Sequence, residues 1–293
     1  LESRKEGKIN SYVDVHFNLH IPNHKPLIEV NCELDNQARD HRLRALIPTG
    51  LASSLSIADN QFGFIKRGVY DSAMDVWEKE NWSERPDAIY PMLNFVGLSD
   101  QDYGVSVLTN STREYEIVGQ NYDTIALTLF RSIGYLGKAE MVRRPGRPSG
   151  IKLPTPNSQM IGKLSLDFAL FIHEGTTLHA NVGQMAKEYL TPVHTYNKIP
   201  HNAMKLNPSA NKTPLSYQLL EETEKEVVLS TLKKAEQEDA LVIRMYNPTE
   251  RDVEASYRLC GDFDEAYEAN LNEVPQGKSE VEGKEIQTSI HSN

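Results

Sequence analysis

The sequence predicts an all-β protein, and three observations support this class. Apolar and polar residues alternate over many short segments, which is the pattern of a strand with one buried face. Connections rich in Gly, Pro and Asn separate these segments. No helical segments recur between the strands, as a parallel βαβ sheet would require. We therefore expect large antiparallel sheets packed face to face as a sandwich.

The predicted strands follow the alternation in chain order. In residues 12–20 the odd positions from Val13 onward are apolar, and in residues 27–34 the even positions are apolar. The same pattern predicts seven further strands, at residues 42–47, 104–108, 124–130, 163–173, 226–232, 241–246 and 253–259.

Two segments have helical spacing, at residues 179–190 and more weakly at 71–80. Residues 191–216 contain four prolines and no periodicity, which predicts a long irregular crossing. We therefore expect a β-supersandwich region over residues 1–216, followed by a smaller acidic β-lobe over residues 217–293.

The composition excludes several classes of protein. No run of 18 apolar residues exists, so we expect no membrane span. The net charge of −10 lies within residues 221–293, which hold 18 acidic and 8 basic residues. An acidic protein is a poor partner for nucleic acid. The two cysteines, Cys32 and Cys260, exclude a disulfide framework and are expected to be small buried residues in a reducing compartment.

The start of the chain has no Met and no apolar leader segment. The sequence therefore predicts a cytoplasmic piece of a longer protein.

The usual catalytic and metal-binding motifs are missing from the sequence. The histidines show no metal-ligand spacing, and His16 and His20 would lie about 13 Å apart along one strand. No phosphate-binding glycine motif or nucleophilic serine elbow is present. Asp100 and Asp102 indicate a turn between strands better than a glycosidase carboxylate pair.

Four aromatic residues cluster in the sequence around a proline- and charge-rich segment, and they could fill a core or contact a sugar ring. They are Trp77, Trp82, Tyr90 and Phe95.

The most informative stretch is residues 124–150, where an apolar strand leads into a stiff cationic loop. Arg143, Arg144 and Arg147 lie within five residues, and Pro145 and Pro148 restrict the backbone around them. Such a loop suits the binding of anions or polar sugars, so these arginines are the candidate substrate-binding residues. The alternative is a structural role in which the arginines bond loop carbonyl groups.

Several ordered blocks of the sequence resemble one family. They are HRLRALIPTG at 41–50, ADNQFGFIKR at 58–67, YPMLNFV at 90–96, TREYE at 112–116, the arginine stretch, LVIRMYNPT at 241–249 and KEIQT at 284–288. Together they resemble the C-terminal β-region of glycoside hydrolase family 38, the retaining α-mannosidases. The bacterial mannosylglycerate and 6-phosphomannosylglycerate hydrolases are the most similar branch.

The resemblance implies a mutarotase-like β-supersandwich followed by a smaller β-sandwich. It also implies that the zinc ligands, the nucleophile and the acid/base lie in an N-terminal catalytic domain, so we assign no catalytic or metal residue to this chain. The loop after a central strand approaches the active site in this family, which is the position of Arg143, Arg144 and Arg147. The implied partners are a carbohydrate and the protein's own catalytic domain, and a second copy of the chain is a further candidate.

The leading hypothesis is therefore the β-region of an enzyme that hydrolyses α-mannosides such as mannosylglycerate. One alternative is a carbohydrate-binding sandwich without enzymatic activity. The other is a sugar mutarotase, for which Glu114, His173 and Glu174 are the candidate acid and base groups.

Overall fold

A computed structural model describes residues 6–8, 12–195, 215–222 and 224–292. The chain divides into two compact units, Leu1–Leu190 and Thr191–Asn293. Strands dominate both units, which confirms the predicted all-β class. Most of the predicted crossing, residues 196–214, lies outside the described residues, so the domain boundary after residue 216 stays a prediction.

The first unit contains two antiparallel sheets. Its strands are β1 (Val15–His20), β2 (Leu27–Asn36), β3 (Arg42–Pro48), β4 (Leu55–Asn60), β5 (Gly63–Gly68), β6 (Ile89–Pro91), β7 (Phe95–Ser99), β8 (Tyr103–Thr109), β9 (Glu114–Val118), β10 (Thr124–Arg131) and β11 (Gly162–Glu174). The seven-stranded sheet has the order β1-β2-β11-β8-β7-β4-β5, and the four-stranded sheet has the order β3-β10-β9-β6.

The two sheets pack face to face around one apolar core. Leu98 from the seven-stranded sheet and Tyr115, Ile125 and Leu127 from the four-stranded sheet are fully buried in it. The hydroxyl group of Tyr115 lies 3.0 Å from Oγ of Ser56, so this buried polar atom has a partner. The alternation predicted for these strands directs their apolar positions into this core.

A buried carboxylate holds the connection between β6 and β7. Oδ1 of Asp59, at the end of β4, accepts hydrogen bonds from the backbone N–H groups of Leu93, Asn94 and Phe95 at 2.8–3.0 Å. Asp59 therefore satisfies three backbone donors where the chain enters the core.

The outer face of the seven-stranded sheet is covered by α1 (Val182–Leu190). Val182 and Ala186 of this helix pack with Phe95 and Phe171 in a second apolar cluster. The predicted helix at residues 179–190 therefore begins three residues later than expected. The predicted helix at 71–80 is wrong, because only the 3₁₀ turn Ser72–Asp75 forms there.

The edge strand β1 has an exposed apolar row. Phe17, Leu19 and Ile21 are 57 %, 65 % and 66 % exposed, although they continue the alternation that buries Val30 and Cys32 on the neighbouring β2. Within the described residues, no strand pairs with the outer edge of β1. This row is the largest departure from the usual burial of strand side chains in the unit.

The second unit is smaller and also antiparallel. Its strands are β12 (Leu220–Glu222), β13 (Val228–Lys234), β14 (Leu241–Tyr246), β15 (Val253–Leu259), β16 (Tyr267–Ala269), β17 (Pro275–Lys278), β18 (Glu280–Glu282) and β19 (Glu285–Ile290). The order β12-β15-β19-β18 forms one sheet, and β13-β14 and β16-β17 form two-stranded sheets. Val227, Val253, Ala255 and Tyr257 form its core.

The two cysteines differ in burial. Cys32 is buried as predicted, whereas the prediction is wrong for Cys260, which is exposed because the odd positions of β15 face the core and Cys260 follows them on the opposite phase.

Across the part of the chain that the structure describes, no helix has the length and apolar character that a membrane span requires.

Candidate functional site

A β-bulge in β10 determines on which face of the sheet Arg131 lies. Ile125, Leu127 and Leu129 face the core, so a strict alternation would also turn Arg131 inward. The pairing with β3 shifts by one residue between Thr128 and Phe130, and Arg131 therefore lies on the outer face. The bulge thus places a charged residue at the point where the strand enters the arginine loop.

The outer face of the four-stranded sheet holds a network of ion pairs. Arg42 lies 3.1 Å from Glu114 and 3.5 Å from Glu116, and Arg44 lies 2.6 Å from Glu116. Arg131 lies 3.2 Å from the second oxygen of Glu114. The side chains cover the sheet and leave it polar on this face.

Glu114 is the centre of this network. It also accepts a 2.8 Å hydrogen bond from Oγ1 of the buried Thr128. Burial alone would raise the pKa of Glu114, but this hydrogen bond and the charges of Arg131 and Arg42 lower the pKa below its ordinary value. Glu114 is therefore an ionised anchor for arginines and a poor general acid at neutral pH.

The arginine loop, residues 132–161, is clamped at its base by buried amide groups. Nδ2 of Asn36 donates to the carbonyl groups of Gln159 and Met160, and Oγ of Ser132 donates to the Gln159 carbonyl at 2.7 Å. The side chain of Gln159 pairs with Asp40 by accepting from its N–H and donating to its carboxylate. Both ends of the loop are thus fixed to the end of β2 and to the connection between β2 and β3.

The two arms of the loop run beside each other. The N–H of Leu136 donates to Leu153 O, and the N–H of Ser149 donates to Lys138 O, each at 2.9 Å. A Cβ atom added to Gly137 would lie 2.8 Å from the carbonyl carbon of Gly150, so the close approach requires glycine. At the tip, Gly146 has a φ of +72°, a left-handed bend beside Arg147 that glycine adopts without strain.

The tip of the loop lies against the docking segment, residues 82–88. Arg143 forms an ion pair with Asp87, and its carbonyl oxygen accepts a 2.8 Å hydrogen bond from the N–H of Arg85. Nε of Arg144 lies 3.7 Å from Oε2 of Glu84, too far for a hydrogen bond but close enough for an ion pair. That Nε is buried and has no hydrogen-bond partner among the described residues, so the carboxylate of Glu84 is the group that compensates its charge.

Positive charge accumulates around Arg143. Partial burial lowers the pKa of Arg143, and the nearby charges of Arg85 and Arg42 lower it further. Several guanidinium groups therefore lie close together here, and Asp87, Glu84 and Glu114 balance the charges of Arg143, Arg144 and Arg42.

Arg147 differs from the other two arginines of the loop. It is exposed, and within the described part of the chain it forms no hydrogen bond or ion pair. The structural alternative, in which these arginines bond loop carbonyl groups, therefore has no support at Arg147. It stays the candidate for direct contact with a ligand.

The residues suggested for a mutarotase do not come together. Glu114 lies on the outer face of the four-stranded sheet, whereas His173 lies under α1 on the opposite side of the sandwich. Nε2 of His173 lies 3.1 Å from Oγ of Ser106, and Glu174 is exposed at the strand end. Groups on opposite faces cannot act on one sugar.

Other sequence-based interpretations have clear outcomes. Oδ1 of Asp100 accepts from the N–H groups of Asp102 and Tyr103 at 2.8 Å, which confirms the predicted turn. Among the described residues, no three His, Cys, Asp or Glu side chains are grouped as metal ligands.

The four aromatic residues divide between core and surface. Phe95 and Trp77 are buried, and Tyr90 packs against the main core. Trp82 stays 43 % exposed at the start of the docking segment.

Sequence reasoning missed the ion-pair network and the docking segment. A signal for the network exists, because Arg42 and Arg44 are two residues apart on a predicted strand and so share a face. Glu114 and Glu116 have the same spacing on β9, a strand that was not predicted. No local sequence pattern predicts that the docking segment contacts a loop about sixty residues later in the chain.

Two family profiles match the chain. Residues 4–138 match the family described as "Glycosyl hydrolases family 38 C-terminal domain". Residues 226–292 match "Glycosyl hydrolases family 38 C-terminal beta sandwich domain". The two matches fall in the first and second compact units respectively.

Similar whole proteins are much longer than this chain. A curated protein of Halalkalibacterium halodurans named "Putative mannosylglycerate hydrolase" is 28 % identical over 260 residues, which are 89 % of this chain and 26 % of that protein. The chain thus spans about a quarter of that relative.

Solved structures share the fold. An alpha-mannosidase from Enterococcus faecalis superposes with a TM-score of 0.74 at 22 % identity, over 95 % of this chain and 29 % of that one. A second Enterococcus faecalis protein in glycosyl hydrolase family 38 gives 0.72 at 21 % identity, over 95 % of this chain and 30 % of that one.

Proposed function

Because this chain belongs to glycosyl hydrolase family 38 and carries two of its C-terminal domains, we propose that it is the β-region of an α-mannosidase-type glycoside hydrolase. The matches to both C-terminal profiles, one in each compact unit, carry the proposal. The enzyme would be longer than this chain, as its relatives are.

The substrate we propose is an α-mannoside with an anionic group, such as mannosylglycerate or its 6-phosphate. The name of the Halalkalibacterium halodurans relative supports this choice. The arginine loop also supports it, because Arg147 is exposed and has no partner among the described residues.

We place the catalytic chemistry in an N-terminal domain outside this chain. The family implies zinc, but the residues described here do not fit a zinc site, since no three candidate ligands are grouped. The role of this chain would be to shape the substrate site with the arginine loop, and its direct partner would be the catalytic domain of the same protein.

The test is an assay of the full-length protein on mannosylglycerate with and without a 6-phosphate, with this chain alone as the control. We expect the full-length protein to release mannose or mannose 6-phosphate, and the control to release neither. If the full-length protein hydrolyses neither substrate nor an α-linked mannobiose, the enzymatic proposal is wrong and a carbohydrate-binding module becomes the better interpretation.

A further inference from the structure

Gln159, near the end of the arginine loop, is a buried glutamine with both ends of its side-chain amide paired to one residue. It is 7 % exposed and closes the 3₁₀ turn Pro156–Gln159. Its Oε1 accepts from the N–H of Asp40 at 2.9 Å, and its Nε2 donates to Oδ1 of Asp40 at 3.0 Å. Two bonds to one residue fix the orientation of the amide as well as its distance.

The residue that pairs with Gln159 has an unusual backbone conformation. Asp40 has a left-handed φ of +55°, which is uncommon for a residue other than glycine. Asp40 is also exposed, so water can replace the amide of Gln159 as its hydrogen-bond partner. The pair therefore contributes more to the local geometry than to the free energy of unfolding.

The first arm of the arginine loop lies against this pair. A Cβ atom added to Gly134 would lie 2.9 Å from Nε2 of Gln159 and 3.2 Å from Oδ1 of Asp40. Glycine therefore leaves the room that the pair occupies. The paired amide thus determines where the arm passes as it leaves β10.

Backbone hydrogen bonds join the two arms of the loop from the base toward the tip. Four such bonds, at 2.9–3.0 Å, run from Ile133 N–H to Ser158 O, from Thr155 N–H to Gly134 O, from Leu136 N–H to Leu153 O and from Ser149 N–H to Lys138 O. Oγ of Ser149 also accepts from the N–H of Lys138 at 2.9 Å. Because Ser149 is only two residues from Arg147, a rotation of the base would move Arg147.

We propose that Gln159 is a positioning residue, whose paired amide sets the direction of the arginine loop and so places Arg147 against the substrate. The inference rests on the proposed function, because it requires that Arg147 meets a ligand. Gln159 itself is buried and acts only through Arg147. Placement matters, because a misplacement of about 1 Å can lower the rate of an enzyme by up to about 100-fold.

A double-mutant cycle in the full-length protein provides the first test. Gln159→Met keeps the length of the side chain and removes both hydrogen bonds to Asp40. We expect it to lower kcat/KM for mannosylglycerate about 3- to 10-fold. Added to Arg147→Ala, the same change should lower kcat/KM by less than about 2-fold. Equal losses in the two backgrounds, or no loss in either, would overturn the proposal.

An exchange of roles between the two side chains tests the contact itself. Gln159→Glu places a carboxylate beside that of Asp40, and we expect a loss at least as large as in Gln159→Met. Asp40→Asn supplies the amide that this variant lacks, so the double variant should recover most of the activity. A general destabilisation would not be reversed in this way. If the double variant recovers nothing, the pair does not position the loop.

Hydrogen exchange of the full-length protein provides a test that does not need activity. In Gln159→Met the N–H groups of Leu136 and Ser149 should exchange several-fold faster than in the wild type. The control is Asn247→Ala, which removes a buried amide that donates to two carbonyl groups in the second unit. It should lower the melting temperature and leave both kcat/KM and this exchange unchanged.

The exchange experiment separates the two proposals. If no α-mannoside is cleaved, the proposed function fails, and faster exchange in Gln159→Met would still support the positioning of the loop by Gln159. Exchange at the wild-type rate in Gln159→Met would overturn that positioning even in an active enzyme.

Discussion

At the scale of single residues, the three arginines of the loop have different surroundings. Arg143 is paired with Asp87, Arg144 faces Glu84, and Arg147 has no partner among the described residues. The composition of the loop does not distinguish the three arginines from one another. Their contacts separate two residues that hold the loop in place from one that is free to meet a ligand.

Replacing Arg147 should therefore affect catalysis and leave stability alone. In the full-length enzyme we expect Arg147→Ala to lower kcat/KM about 10- to 100-fold, the cost of one charge-assisted contact of roughly 1.5–3 kcal/mol. Arg147→Lys should recover only part of the loss, because it cannot form a bidentate pair. Arg258→Ala, at an exposed arginine of the second unit, is the control. Near-wild-type kinetics in both Arg147 variants would exclude a role in substrate binding.

Asp59 is the opposite case, a residue with a purely structural role. Asp59→Ala would leave three backbone N–H groups near the core without their acceptor, and we expect a loss of roughly 2–4 kcal/mol in the free energy of unfolding. Asp59→Asn keeps one acceptor oxygen and should lose less. Denaturant unfolding measures the loss, and hydrogen exchange at residues 93–95 locates it. Unchanged exchange there in Asp59→Ala would contradict this role.

At the scale of elements, the arginine loop is positioned at two places. Its base is fixed by Asn36 and Gln159, and its tip is fixed by the docking segment through Arg143 and Asp87. The tip contact is partly exposed, so it contributes little to global stability. Its effect is on the conformation of the tip.

Removal of the tip contact should expose the tip to protease. The bond between Arg143 and Arg144 is the tip's tryptic site, since Arg144 and Arg147 each precede a proline. We expect Asp87→Ala to speed cleavage after Arg143 several-fold, with less than about 1 kcal/mol lost in the free energy of unfolding. Asp102→Ala, at an exposed aspartate elsewhere, should cleave at the wild-type rate. Equal rates for all three proteins would show that Asp87 does not hold the tip.

The sequence predicted the longer strands whose residues alternate, and it missed the short alternating strand β9. Strands β2, β10 and β11 were found because their residues alternate, whereas β4 and β7 were missed. The residues of β4 and β7 are buried on both faces, since Phe95 packs under α1 and Leu98 packs between the sheets. Burial on both faces removes the alternation on which the prediction depends. The arginine loop was found from its composition, but its pairing with Asp87 depends on tertiary contacts that no local pattern contains.

At the scale of the whole molecule, the two outer faces of the first unit have different roles. One face is closed by α1 over an apolar cluster. The other holds the ion pairs of Glu114 and Glu116 and leads into the arginine loop. The buried His173 belongs to the closed face and links its stability to pH.

Acid should destabilise the closed face. Burial lowers the pKa of His173, so the folded state resists protonation of this imidazole. Its contribution to stability is complete above the ordinary value of about 6.5 and is lost as the pH falls through the lowered pKa. We expect stability to decrease between pH 7 and 5 by up to about 1.4 kcal/mol per pH unit, and less steeply in His173→Gln. The control is His16→Gln on the exposed edge strand, which should keep the wild-type dependence of stability on pH. If His173→Gln also keeps that dependence, His173 is not its cause.

The chain by itself should neither hydrolyse glycosides nor hold zinc. The reason is the lack of a grouped ligand set among the described residues, together with our proposal that catalysis takes place in another domain of the protein. Metal analysis of the purified chain tests the expectation about zinc, and one tightly bound zinc per chain would contradict it.

The β-bulge in β10 determines where natural variation in length can occur. Deletion of Leu129 would remove the bulge and restore strict alternation, with Phe130 continuing the inward row and Arg131 still on the outer face. A one-residue insertion before the bulge would instead turn Arg131 into the core and direct the loop toward the wrong face. Insertions at the tip, residues 139–148, leave the strand phase intact. Homologous enzymes should therefore gain length at the tip and not within β10, where only the loss of the bulged residue leaves the phase of Arg131 unchanged.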